Sequence, residues 1–295
     1  MSVRHISDTA RWVASYRAIE TERPDALFRD PFAARLAGPE GPAIVASLPH
    51  GRSMAWAMIV RTAVFDELIL TQVNSHHADL VLNLAAGLDA RPWRLALPAT
   101  LRWIDVDLPA ILEYKATQLN GERPACHYEA VATDLTQPEA LGDLVTRLGP
   151  TAGRVLVITE GLLIYLAPAE VAALAQALSR PPSFQWWLVD LASPRLLLYL
   201  QQRWGKTLAH GSAPFRFAPA EGAEFFRPYG WHEAVFRSSA EEAHRLGRQG
   251  RFMWLWRLIA RLSSARRREE FRRMAGYVLL ARQPGAAGLA GTPTP

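Results

Sequence analysis

Four acids recur along the chain at a nearly constant interval: Asp107, Asp134, Glu160 and Asp190, separated by 27, 26 and 30 residues. Each falls just past a run with strand character, namely Leu101 to Val106, His127 to Thr133, Arg154 to Thr159 and Phe184 to Val189. An acid placed once per strand-helix unit belongs on the rim of an open α/β sheet, where ligands bind beyond the carboxyl ends of the strands. Carboxylates there accept hydrogen bonds from hydroxyls and amines and attract cations. Acids at such loops also cap helices, but four in one register favour a shared site.

Asp107 lies twenty positions after Gly87, the spacing at which a second-strand carboxylate receives ribose hydroxyls. A nucleoside-containing ligand is therefore expected. The turn after the first strand, Ala85-Ala86-Gly87-Leu88-Asp89-Ala90-Arg91-Pro92, holds one glycine. A pyrophosphate needs the G-x-G-x-x-G pattern so that backbone amides can approach it closely. Its absence disfavours a nicotinamide dinucleotide and permits S-adenosylmethionine, which carries no phosphate. Arg61 interrupts the most apolar amino-terminal stretch, between Met58-Ile59-Val60 and Thr62-Ala63-Val64-Phe65. A buried guanidinium demands an anion. Either an internal carboxylate such as Asp66 or Glu67 answers it, or the carboxylate of the cofactor's methionine moiety does, in the forked geometry arginine suits.

The elements that must position these residues follow from periodicity. Ser7 or Asp8 is placed to cap a helix through Trp12, Tyr16 and Ile19, and Met54 to Val73 forms a second, more apolar helix. Both precede the sheet and are expected to cover one of its edges. Five strand-like runs alternate with helix-length segments, beginning with Asp79 to Ala85, and two more, His232 to Arg237 and Ala275 to Ala281, follow a proline-bearing stretch. The alternation predicts an α/β fold, a Rossmann-like sheet of about seven mostly parallel strands with helices on both faces. The chain then divides into a helical cover over 1–75, a cofactor-binding core over 76–192, a lid-like insertion over 193–225, completion of the sheet over 226–283 and a tail, 284–295. The tail is rich in Gly, Ala, Pro and Thr and reads as disordered.

The ordered motifs Ser7-Asp8-Thr9-Ala10, Phe28-Arg29-Asp30-Pro31-Phe32, Asn83 to Arg91, Ile104 to Pro109, Thr159 to Leu166 and Tyr229-Gly230-Trp231 resemble those of the leucine carboxyl methyltransferase family. The likeness runs from about Ser7 to about Gly247 and is greatest to the bacterial branch that includes polyketide carboxyl methyltransferases of the tetracenomycin type. The resemblance implies a class I methyltransferase fold and S-adenosylmethionine as cofactor. It places the cofactor's carboxylate on Arg61, its methionine portion along Ala85 and Gly87, and its ribose on Asp107. Asp134 and Leu135 would hold the adenine, Glu160 would approach the amino group, and Tyr165 would stand between cofactor and acceptor. Ala85 replaces a frequent glycine and Ala90 a threonine; both are small, so altered loop contacts are expected rather than lost binding. The eukaryotic protein phosphatase methyltransferases are more distantly similar, with Arg11 and Arg17 as candidates for their amino-terminal basic contact.

The implied reaction is methyl transfer to an oxygen of a small-molecule acceptor. A protein carboxyl terminus as acceptor, a cofactor-binding scaffold without catalysis and a nicotinamide-dependent reductase are the alternatives. An acceptor carboxylate needs no base, whereas a phenol or alcohol would draw on one such as His210 or His232. Trp204, Phe215, Phe217, Phe225 and Phe226 are candidates for aromatic walls over the acceptor. The stretch Arg245 to Arg273 holds ten arginines against Glu269 and Glu270. It reads as a helix with a solvated basic side, with membrane-surface contact by 251–273 as the lesser possibility and no nucleic-acid motif beside it. The single cysteine, Cys126, and the lack of clustered metal ligands exclude a disulfide scaffold and a structural zinc site, so a cytoplasmic protein without a metal is expected.

Overall fold

The computed structural model describes residues 6–47, 51–135, 137–209, 214–250 and 263–283. Its sheet has seven strands: β1 (Leu80–Leu84), β2 (Arg102–Asp107), β3 (His127–Ala132), β4 (Val155–Thr159), β5 (Phe184–Ala192), β6 (Trp231–Ser238) and β7 (Ala275–Arg282). Their order is β3-β2-β1-β4-β5-β7-β6, with β7 antiparallel to both neighbours and every other pairing parallel. The expected Rossmann-like sheet of about seven strands is thus observed. The order reverses between β1 and β4, and that switch point opens a crevice at their carboxyl ends.

Side-chain alternation explains why these runs are strands. Leu80, Leu82 and Leu84 of β1 and Val155 and Val157 of β4 enter one apolar layer with Leu144, Val171 and Trp187. Val81, Leu156 and Ile158 point the other way, into a layer with Val60, Val64 and Phe65. Period-two alternation thus serves two buried faces, so the runs are apolar throughout.

The amino-terminal helices are α1 (Ile6–Thr21), α2 (Ala33–Ala37), α3 (Glu40–Ser47) and α4 (Gly51–Asn74). Ser7 and Asp8 lie inside the first turn of α1 rather than ahead of it. The helices do not cover a sheet edge as expected. α4 lies across a face, because Val60, Val64, Leu68 and Ile69 need a wide apolar partner, and Phe65, fully buried, meets the Tyr277 ring edge-on at 6.1 Å. Truncating Phe65 to alanine would cost roughly 3–5 kcal/mol. α1 and α2 pack instead on the loop after β1 and on the helix after β2, through Ala14, Leu36, Leu88 and Ile111.

The stretch after β5 differs from a simple lid. Pro194–Ala209 is one helix, whose Leu197 and Leu200 pack toward Phe215 and Ile164. Phe225 and Phe226 belong to the 3-10 helix Gly222–Tyr229. Phe226 is fully buried, 5.1 Å from Trp187, and Phe225 packs on it at 5.3 Å. These two phenylalanines are core rather than acceptor walls, because the edge of the sheet near β6 and β7 needs an apolar cover. His210, the side chain of Trp204, residues 251–262 of the arginine-rich stretch and the tail 284–295 lie outside the described residues. Of the described helices, none is long and apolar enough to cross a membrane.

Candidate active site

A cavity of about 1550 Å³ opens beyond the carboxyl ends of β1, β2, β4 and β5. Ligand pockets for one small molecule usually hold about 300–1,000 Å³, so this one has room for a cofactor and a second molecule. Arg61, Ala85, Gly87, Asp107, Asp134, Leu135, Glu160 and Tyr165, the residues singled out from the sequence, all line it. Asp190 lines it too, though it sits within β5 rather than past its end, since β5 continues three residues beyond Val189 to pair with β7.

The turn after β1 is built by left-handed backbone. Gly87 has φ +53°, and a Cβ there would meet the Cβ of Ala10 at 3.3 Å. Ala85 has φ +55°, a conformation costing an L-residue roughly 1–2 kcal/mol. The family's frequent glycine at this position thus has a backbone reason, and Ala85 adopts the glycine conformation regardless. Asp107 locks the turn: its Oδ2 accepts from Gly87 N at 2.6 Å and its Oδ1 from Leu108 N at 2.7 Å. Burial raises its pKa above the ordinary value, and these two amides offset that only in part.

Arg61 donates Nε to Glu160 Oε1 at 2.9 Å and Nη1 to Asp190 Oδ2 at 3.1 Å. The structure thus shows the internal ion pair for this arginine, and its partners are not Asp66 or Glu67 but two acids of the cavity rim. Burial works against its charge, yet Asp190 and Glu160 overcome this and raise its pKa. Gly161, with φ +68°, lets the guanidinium approach so closely that a Cβ would stand 3.0 Å from Nη1, and its own amide donates to Asp190 Oδ1 at 2.7 Å.

Sequence reasoning missed the charge network behind Arg61. Arg91 donates Nη1 to Glu160 Oε2 and to Asp89 Oδ2, each at 2.7 Å, and Nε to Asp66 Oδ1 at 2.6 Å. Arg94 forks onto both oxygens of Asp66 at 2.7 Å. Asn83 joins Asp89 to Asp105, at 3.2 and 3.1 Å, and Asp105 in turn pairs with the buried Lys115. Burial opposes ionisation of Asp89, but Arg91 foremost holds its pKa well below the ordinary carboxylate range. Asp89 and Arg91 stand two apart in the turn motif, and that i,i+2 acid-base pair was the one available signal.

Tyr165 stands above this floor with its ring 5.5 Å from that of Phe215, and burial pushes its phenol up to about 12. At neutral pH it is a hydrogen-bond donor and not a base. Tyr277, unanticipated, also lines the cavity and shares a 3.1 Å hydrogen bond with Ser239. Of the aromatic candidates, Phe215 and Phe217 line the cavity. His232 does not: it sits on edge strand β6 beside Glu221 and Arg273, away from the cavity, which removes it as a base. Arg17 reaches the cavity while paired with Asp30 at 2.8 Å, whereas Arg11 pairs with Glu40 away from it.

In the arginine-rich stretch, most described side chains are taken by acids. Arg245 binds Glu67 and Glu242, Arg248 binds Glu20, and Arg273 binds Glu233 and Glu269. Among the described residues this stretch does not form a uniformly basic solvated face, because Glu20 of α1, Glu67 of α4 and Glu233 of β6 answer Arg248, Arg245 and Arg273. Cys126 is buried and unbridged.

The inner end of the cavity presents Asp89, Asp107, Asp134, Glu160 and Asp190 against Arg17, Arg61 and Arg91. Five carboxylates against three guanidinium groups leave it acidic, suited to a ligand with net positive charge.

Known proteins are similar to this chain. The chain is 41% identical over 171 residues to SCO7813 of Streptomyces coelicolor, whose name describes an S-adenosyl-L-methionine-dependent methyltransferase; the match takes in 54% of this chain and 59% of that one, less than two thirds of the relative. It is 32% identical over 258 residues to SAV474 of Streptomyces avermitilis, similarly named, across 81% of this chain and 87% of the relative. A solved structure from Thermobifida fusca, described as a methyltransferase, shares the fold with a TM-score of 0.59 at 14% identity, covering 96% of each chain. The model of the leucine carboxyl methyltransferase family matches residues 10–179. The chain belongs to the leucine carboxyl methyltransferase family.

Proposed function

We propose that this chain binds S-adenosylmethionine in the inner part of the cavity and transfers its methyl group to an oxygen, carboxylate or hydroxyl, of a small-molecule acceptor. The observation that carries the reading is the convergence of the four strand-end acids, Gly87 and Arg61 on one cavity with an acidic inner end. S-adenosylmethionine carries a sulfonium, an ammonium and a carboxylate, so its net charge complements that end. Asp107 would hold the ribose, since each of its oxygens keeps a second lone pair beyond the bond to an amide. Asp134 and Leu135 would flank the adenine, Glu160 would take the ammonium, and Arg61 would turn toward the carboxylate.

The bound cofactor supplies a methyl group already activated by positive charge. Catalysis is then mainly alignment of donor and acceptor. Tyr165 would donate a hydrogen bond that orients the acceptor oxygen, while Phe215 and Phe217 keep water from the sulfonium. An acceptor carboxylate is ionised at neutral pH, so the reaction needs no base. The test is a tritiated-methyl transfer screen over aromatic acids, phenols and peptides, with calorimetry of cofactor binding beside it. Saturable binding and label on a small acid or phenol support the proposal; absence of cofactor binding, or label only on peptide carboxyl termini, overturns it.

A further inference from the structure

The cavity changes sign from one end to the other. The acid excess described above belongs mostly to its less exposed lining, whereas the more solvent-exposed lining, its mouth, carries Arg195, Arg216, Arg268 and Arg272 against Glu170, Glu241 and Glu269. Two of these arginines are already engaged: Arg216 lies 3.8 Å from Glu170, and Arg272 reaches Glu241 at 3.2 Å and Glu269 at 3.3 Å. Arg195 and Arg268 have no acidic partner among the described residues. Arg195, in the first turn of the Pro194–Ala209 helix, rests its guanidinium carbon 5.8 Å from the ring centroid of Phe271. Arg268 lies one helical turn before Phe271, on the helix Ala265–Arg272, and donates Nη1 to Ser263 O at 2.7 Å. Phe271 lines the cavity too, so Arg195 stands at an aromatic wall of the cavity, with Arg268 on the same short helix as that wall.

The wall next to them is apolar. Leu196, Tyr199 and Leu200 line the cavity on the same helix as Arg195. Leu198 and Tyr199 of the same helix are 58% and 47% exposed, and the Tyr199 ring, which lines the cavity, has the guanidinium carbon of Arg203 5.7 Å from its centroid. Arginine over an aromatic face is a suitable receiver for a planar anion, since it offers a fork of donors and a stacking plane together.

Resting on the proposed methyl transfer, we infer that Arg195 and Arg268 select an acceptor with an aromatic or aliphatic body and a separate anionic group, held at the mouth while the methyl-accepting oxygen reaches Tyr165. The acceptor is thus an amphiphilic acid rather than a neutral alcohol or phenol. Retention of the separate anionic group by Arg195 and Arg268 at the mouth orients the acceptor, so that its methyl-accepting oxygen leads into the cavity.

The test uses two fluorescent probes of similar shape, 1-anilinonaphthalene-8-sulfonate and its neutral counterpart N-phenyl-1-naphthylamine, titrated into the full chain saturated with S-adenosylhomocysteine. The wild type should bind the sulfonate saturably and at least tenfold more tightly than the neutral probe. In R195Q/R268Q that preference should fall below threefold with neutral-probe affinity unchanged, and R195K/R268K should restore part of it. Equal affinity of the wild type for both probes, or an undiminished preference in R195Q/R268Q, overturns the inference. Thermal melting of each variant separates misfolding from lost recognition, and should R195Q/R268Q unfold, the wild-type preference and its loss in R195K/R268K with 0.5 M salt decide. Cofactor binding is measured independently, so its absence would count against the methyl-transfer reading, whereas cofactor binding without anion preference would count against this inference alone.

Discussion

Asp107 separates stability from binding, and Asp107→Asn is the substitution that shows it. In the ligand-free protein its carboxylate accepts two backbone amides, from Gly87 and Leu108, yet burial outweighs them and the pKa is raised. The fold therefore holds this charge at a cost. Asparagine keeps one acceptor and leaves one amide without a partner, a loss of roughly 1–3 kcal/mol, while removal of the buried charge offsets most of it. At about 2.1 cal/mol/K per residue over 295 residues, a residual 1 kcal/mol moves the melting temperature by less than about 2 °C. Cofactor binding has no such compensation. A ribose hydroxyl on a carboxylate contributes roughly 1.5–3 kcal/mol, so the Kd for S-adenosylmethionine should rise roughly 10- to 150-fold. Calorimetry at pH 7.5 and scanning fluorimetry measure the two quantities. A Kd within twofold of wild type, or a melt lowered by 8 °C with binding intact, would refute the assignment of Asp107.

The same raised pKa fixes a pH dependence. Stability contributed by Asp107 is fully present below the ordinary carboxylate value and is lost as pH rises through the raised one; cofactor affinity should run oppositely, weakening as pH falls through the raised value, and a flat affinity between pH 4 and 7 would contradict this. Ala85→Gly should stabilise the protein by about 1 kcal/mol by relieving the left-handed alanine, a rise of roughly 1–2 °C, and an unchanged or lower melt would show that the turn is not strained. Asp89→Asn removes one of the three acids around Arg91, whose side chain is 3% exposed, and leaves Glu160 and Asp66 in place; it should cost about 1.5–3 kcal/mol by urea unfolding, the worth of one hydrogen bond to a charged group. In the wild type, stability from Asp89 is present above 3.8 and is lost only as pH falls well below that, through its depressed pKa. Tyr165→Phe should leave cofactor affinity within twofold and lower kcat roughly 2- to 13-fold, since one neutral hydrogen bond is worth roughly 0.5–1.5 kcal/mol; with a pKa near 12, Tyr165 should produce no inflection in the rate between pH 7 and 10.

The sheet was legible in the sequence because buried parallel strands leave a local signature: Leu80-Val81-Leu82 and Val155-Leu156-Val157-Ile158 face two cores, and each ends beside a loop that lines the cavity. The acid rim was legible for the same reason, since one acid per strand-helix unit is a periodic signal. What sequence reading left open depends on pairs with no fixed spacing. Arg61 meets Glu160 and Asp190, 99 and 129 residues away, and Arg91 meets Asp66 25 residues earlier. Which acid answers which guanidinium is decided by tertiary packing alone. The aromatic insertion divided for a similar reason: Phe215 and Phe226 look alike in sequence, but Phe226 fills the gap beside Trp187 and Trp231 while Phe215 faces the cavity. The left-handed backbone at Ala85 left no residue-level sign, because alanine there contradicts the preference that marks such turns.

A crystal structure of the chain with S-adenosylhomocysteine tests the central claim most directly. The account predicts the ribose hydroxyls on Asp107, the homocysteine carboxylate on the Arg61 guanidinium and the sulfur facing Tyr165. The ligand seated at the mouth, or Arg61 still holding Glu160 and Asp190 with no contact to the ligand, would contradict it.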